Sequence, residues 1–132
     1  MAPTTNPAGG PSPAGRPSLV VVTSRQGPNT TVRLSGELDI ATAAVARATL
    51  QDLVATDSPS HVVVDMSALA FVDVAGLGVL LFARKALGGR LALLHPSAMV
   101  RRTIDLLDLA DALPVLPDET VAHEPRLLSP TR

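Results

Sequence analysis

From residue 61 to residue 89 the chain reads HVVVDMSALAFVDVAGLGVLLFARKALGG, and the spacing of its apolar residues changes character along the way. The short β-branched run at 61–64 suits a buried strand that ends at Asp65, where the chain turns away into a connector over 66–72. Beyond Asp73, residues 74–87 are apolar enough and numerous enough for a helix, which Gly88 and Gly89 stop. At 100° per residue, Leu77, Leu80, Ala83 and Leu87 share the side that turns toward a sheet. Val74, Gly78 and Lys85 line the other side, flanked by Leu81 and Phe82, and this spacing predicts an exposed Phe82. A strand, a connector and a buried helix form the centre of an α/β unit. Recognition or chemistry is therefore expected first at the loop tip, Asp73.

The rest of the chain extends this pattern in both directions. Residues 19–24 (LVVVTS) and 30–35 (TTVRLS) read as strands joined by a turn at 26–29 (QGPN), which makes them a hairpin. Asp39 is placed to cap a helix reaching about Ala55, with Ala43, Ala46, Leu50, Leu53 and Val54 on one stripe and Thr42 as a rival cap. A helix between the second and third strands makes those two parallel, so the sheet is mixed. Residues 90–94 (RLALL) form a further strand, and Pro96 with Ser97 opens a helix to about residue 107. Residues 113–116 (LPVL) make a last short strand that Pro114 confines to an edge or a strand end. The expected architecture is one α/β domain over 19–117 with a mixed sheet. It lies between a Pro/Gly-rich stretch at 1–18, expected to be disordered, and a tail at 118–132, expected to be flexible; both are too poor in spaced apolar residues to order themselves.

Composition narrows the function classes. Hydrophobic residues make up 46% of the 132, enough for one core, but aromatics only 2%, so Leu, Val, Ile and Ala must supply the packing. A net charge of −1 with no basic block argues against nucleic acid as a partner. With no cysteine there is no disulfide framework, thiolate metal site or thiol nucleophile. No apolar run reaches membrane length, and the first residues lack the basic start and apolar middle of a signal peptide. A soluble, cytoplasmic protein without membrane insertion is expected.

Little of the remaining chemistry survives inspection. Gly76-Leu77-Gly78 lacks the third glycine of a dinucleotide fingerprint, Leu81 standing in its place, and both glycines fall inside the helix, where they allow close approach of another element. Asp65 and Asp73 invite a paired-carboxylate or phospho-acceptor site. The only lysine, however, is Lys85 at a helix end, and a turn-forming Asp65 with a helix-capping Asp73 is the favoured interpretation. His61, His95 and His123 are too dispersed for a metal site, and no cofactor is expected. Arg101, Arg102 and Asp105 read as a solvated helix face. The outer side of the helix after Asp73 is too apolar for an idle surface, and it predicts a protein-docking face.

Three stretches, GELDIATA (36–43), DMSALAFVDVAGLGVLL (65–81) and HPSAMVRRTIDLLDLADALPVL (95–116), together resemble the STAS domain, as found in bacterial anti-sigma factor antagonists. They are spaced as in that family and cover nearly all of 19–117. The resemblance implies a mixed sheet with helices packed mainly on one side. It also implies a non-enzymatic partner switch: such antagonists bind an anti-sigma factor that is also a serine kinase, releasing the sigma factor, and phosphorylation of the domain breaks that binding. In the family motif the phosphorylated serine follows the aspartate matched here by Asp73. This chain has Val74 there and Ala75 next, so neither position offers a hydroxyl, and Ser67 is left as an unconventional acceptor. The implied partner surface is centred on Asp73, Val74, Ala75, Gly78 and Phe82, with Asp39 at its border. The alternatives are a STAS subunit of another assembly, such as a phospholipid transporter or a stress-signalling complex, and a small nucleotide-binding enzyme.

Overall fold

A computed structural model describes residues 4–5, 18–57 and 59–117. Thr4–Thr5 (β1), Leu19–Gln26 (β2), Asn29–Leu38 (β3), His61–Val72 (β4) and Leu91–Leu94 (β5) form one sheet in the order β1-β2-β3-β4-β5. Ala43–Asp57 (α1), Val74–Ala86 (α2) and Ala98–Leu106 (α3) are its helices. β2 and β3 form an antiparallel hairpin folded back at Gly27, whose φ of +63° suits a residue without a Cβ. β3 with β4, and β4 with β5, run parallel because α1 and α2 carry the chain back between them. The sheet is mixed, as the pattern of elements predicts.

The helices lie mainly on one side of this sheet. Leu19, Val21, Val32, Leu34, Val62, Val64, Leu91 and Leu93 form the covered face, and the stripe of α1 (Ala46, Leu50, Leu53) and that of α2 (Leu77, Leu80, Ala83, Leu87) close over it. Val100 and Ile104 of α3 join the same core. Each large aliphatic side chain so buried contributes about 1.5–3 kcal/mol. On the opposite face Val20, Val22, Thr31, Arg33 and Ser35 are less buried, which gives the hairpin strands their alternating pattern.

Several boundaries differ from the sequence expectation. β4 does not end at Asp65: it runs for 12 residues through the supposed connector, burying Met66, Leu69 and Val72 on the way. Asp65 pairs with Arg33 and Leu94 in mid-strand, and its carboxylate accepts the N–H of Ser67 at 2.9 Å. Register shifts between Arg33 and Ser35 and between Gly36 and Glu37 accompany this local kink, as a bulge does. β3 also continues past Ser35 to Leu38, and Gly36, at φ +100°, leaves room for the carbonyl of Ser18, which a Cβ would overlap. The last short strand reduces to one parallel bridge, Leu93 to Val115, flanked by Leu93 N–H donating to Pro114 O and Leu116 N–H to Leu93 O, each at 2.8 Å. Within the stretch expected to be disordered, Thr4–Thr5 pair with the edge of β2. The remainder of that expectation, Ser18 apart, lies outside the described residues, as does the flexible tail at 118–132.

Candidate functional site

β3 and β4 end side by side, Leu38 opposite Val72, and the chain leaves both ends in short turns tied to each other. The tie is Asp73. One carboxylate oxygen accepts the N–H of Gly76 at 2.9 Å and so caps α2, while the other accepts the N–H of Ile40 at 3.1 Å in the turn before α1. The N–H of Asp73 donates to the carbonyl of Leu38 at 3.2 Å. Gly76 is what permits the closeness, since a Cβ there would run into the Leu38 carbonyl and the Leu38 and Val72 side chains.

The turn before α1 is held as firmly. Asp39 Oδ1 accepts the N–H groups of Ala41 at 3.0 Å and Thr42 at 3.1 Å. The Thr42 hydroxyl donates to the Glu37 carbonyl at 2.8 Å and accepts the N–H of Asp39 at 3.0 Å. The two rival caps thus divide the work: Asp39 caps the turn, and Thr42 provides the backbone carbonyl that receives Ala46 N–H in the first turn of α1.

The expected site residues come together here in two different roles. Asp39 and Asp73 are half-buried and engaged with backbone N–H groups, so they shape the surface instead of projecting from it. Val74, the first residue of α2, projects with 67% of its surface exposed. Ala75 is half-buried, and Gly78 is exposed with no heavy atom within 4 Å of where a Cβ would stand. Phe82 departs from its expected exposure: it is half-buried, with the guanidinium of Arg47 laid over its ring at 4.0 Å from the centroid. Leu81 packs against the core and leaves the outer stripe.

Three residues in or beside the elements that meet here escaped the sequence analysis. Ile40 is 81% exposed at the turn fixed by Asp73, Phe71 is exposed at the end of β4, and Arg47 reaches across from α1. The signal for Ile40 was an apolar residue directly after a turn-capping aspartate. Phe71 was hidden by the assignment of 66–72 to a connector.

Other chemistry is disfavoured by placement. Asp65 and Asp73 are eight residues apart along and just beyond one strand, roughly 20 Å or more at about 3.3 Å per residue, too far for a paired-carboxylate site. Ser67 is exposed within β4 and not at the helix start. Among the described residues no group of three or more His, Cys, Asp or Glu is placed to hold a metal ion, and no helix is long and apolar enough to cross a membrane.

Comparison with known proteins bears on family and fold. The family model of the STAS domain matches residues 20–122. An anti-sigma F factor antagonist of Paenibacillus polymyxa is 33% identical over 94 residues, covering 69% of this chain and 80% of that protein. The crystal structure of an anti-sigma factor antagonist from Mycobacterium paratuberculosis superposes with a TM-score of 0.72 at 28% identity, over 85% of this chain and 94% of that one. The Bacillus cell fate determinant SpoIIAA in its phosphorylated form shares the fold, with a TM-score of 0.60 at 23% identity over 77% of this chain and 96% of that one.

Proposed function

The chain belongs to the STAS domain family, among the anti-sigma factor antagonists, and from that premise we propose that it docks a kinase-type anti-sigma factor without being switched by phosphorylation at the helix start. The observation that carries this reading is Val74: it occupies the first position of α2, exposed and apolar, on a surface rigidly held by Asp73. The start of a helix tolerates a phosphate, because free N–H groups and the helix dipole favour anions, so a phosphorylated residue there need not unfold the domain. What a dianion changes is the surface, since a partner packing apolar groups on it would meet a charge that must be desolvated. Val74 and Ala75 offer no oxygen to modify. The protein is then a binding module that acts constitutively or through its abundance, with its contacts centred on Val74, Ala75 and Gly78, bordered by Ile40 and Phe82 and shaped by Asp39 and Asp73.

The test is capture on the immobilised full chain, identification of a kinase-fold anti-sigma factor, and binding of that purified protein with and without ATP. Wild-type binding indifferent to ATP is expected, with weakened binding by V74D and ATP-dependent release of V74S. Phosphate mapped to Ser67 of the wild type, with loss of binding, would overturn the constitutive reading. Full binding by V74D would overturn the docking face.

A further inference from the structure

The most informative neighbour of this face is a charge. Arg47 lies exposed on α1 with its guanidinium against the Phe82 ring, and among the described residues no carboxylate pairs with it. Phe82 stands one turn beyond Gly78 on the same side of α2, and Gly78 one turn beyond Val74. Along that stripe a partner meets exposed methyl groups, then helix backbone with open space above it, then a guanidinium over an aromatic ring. The acidic groups nearest the two helix starts form no ion pair with it among the described residues and are engaged elsewhere. Asp73 is engaged by two backbone N–H groups and Asp39 by its own turn, and Glu37 is half-buried in β3.

Stacking holds the long side chain in place, so less ordering is needed when a partner arrives, and among the described residues no acceptor takes the guanidinium N–H groups. We propose that Arg47 is a specificity-determining contact of the docking face, receiving a carboxylate of the partner while an apolar group of the same partner packs on Val74 and the open backbone at Gly78. This rests on the docking reading above. It identifies the chemistry of the matching surface: an acidic side chain beside an apolar one, on an element slim enough to approach the backbone of α2. The simpler role for Arg47, a stem that covers an aromatic ring, predicts no effect of its charge on binding.

Calorimetric titration of the full chain against the anti-sigma factor recovered by capture, at low and at high salt, separates these roles. R47Q is expected to raise Kd roughly tenfold and to flatten its salt dependence, R47E to raise Kd further, and R47K to fall between wild type and R47Q, with melting temperatures near wild type because the side chain is exposed. Should R47E lower the melting temperature, R47Q and R47K carry the test. Wild-type affinity and salt dependence in R47Q and R47E, alongside lost binding in V74D, would overturn the role of Arg47 and leave the docking face standing. Unchanged binding in R47E and V74D alike would overturn both.

Discussion

α2 and α3 begin alike and are put to different use. Each follows a β-strand, each is capped by a side chain that accepts the N–H three residues on (Asp73 from Gly76, Ser97 from Val100), and each presents an apolar residue in its first turn, Val74 or Met99, that is at least half exposed. The difference lies in the second oxygen. A serine has one oxygen to offer, and Ser97 uses it within its own helix, whereas the carboxylate of Asp73 also holds Ile40 in a turn 33 residues earlier in the chain. One cap is local; the other fixes two helix starts and their exposed residues as a single surface. An exposed apolar residue at a helix start is unremarkable by itself. It gains meaning when the fold commits a side chain to holding it in register with another.

The largest way to break this arrangement is Gly76→Ala. The added methyl group has to push aside the Leu38 carbonyl, and a loss of about 1–3 kcal/mol in urea unfolding is expected, with separation of the two helix starts. Asp73→Ala removes a cap and the acceptor for Ile40. It is expected to cost about 1–2 kcal/mol and, decisively, to shift the Ile40 amide resonance. Ser97→Ala is expected to cost about 1 kcal/mol and to perturb only α3; an equally distant effect would erase the contrast between the caps. The smallest effect has the opposite sign. Gly78→Ala is expected to stabilise the fold by about 0.5–1 kcal/mol, since no atom opposes the new methyl and a helix interior favours alanine. Its binding to the partner is nonetheless expected to weaken, because the space it fills lies on the proposed docking side.

The sequence made some of this legible and hid the rest for physical reasons. Leu77, Leu80, Ala83 and Leu87 could be assigned inward from period alone, because α2 and its C-cap form an uninterrupted helical stripe against the core. β4 beyond Asp65 could not: its buried residues Met66, Leu69 and Val72 recur every third position where the strand is bulged, so the alternation that marks a strand is lost. Asp73 was recognisable as a cap because capping is local, but its hold on Ile40 spans distant parts of the chain and leaves no mark in spacing. Phe82 was assigned to the outer face, but it is half-buried and Arg47 on another helix lies over its ring, which no pattern within α2 reports.

The pairing of Thr4–Thr5 with β2 has a consequence for how the protein behaves in concentrated solution. Thr4 and Thr5 pair with Thr23 and Val22 and so cover backbone donors and acceptors on the outer edge of β2. Such an edge is a template for a strand of another molecule. A chain shortened to begin at Ser18 keeps the described core residues, Leu19 onward, and is expected to melt as the full chain does. Its light scattering, however, is expected to rise more steeply with concentration: the cost of uncovering Val22 and Thr23 appears in colloidal behaviour and not in the folding transition.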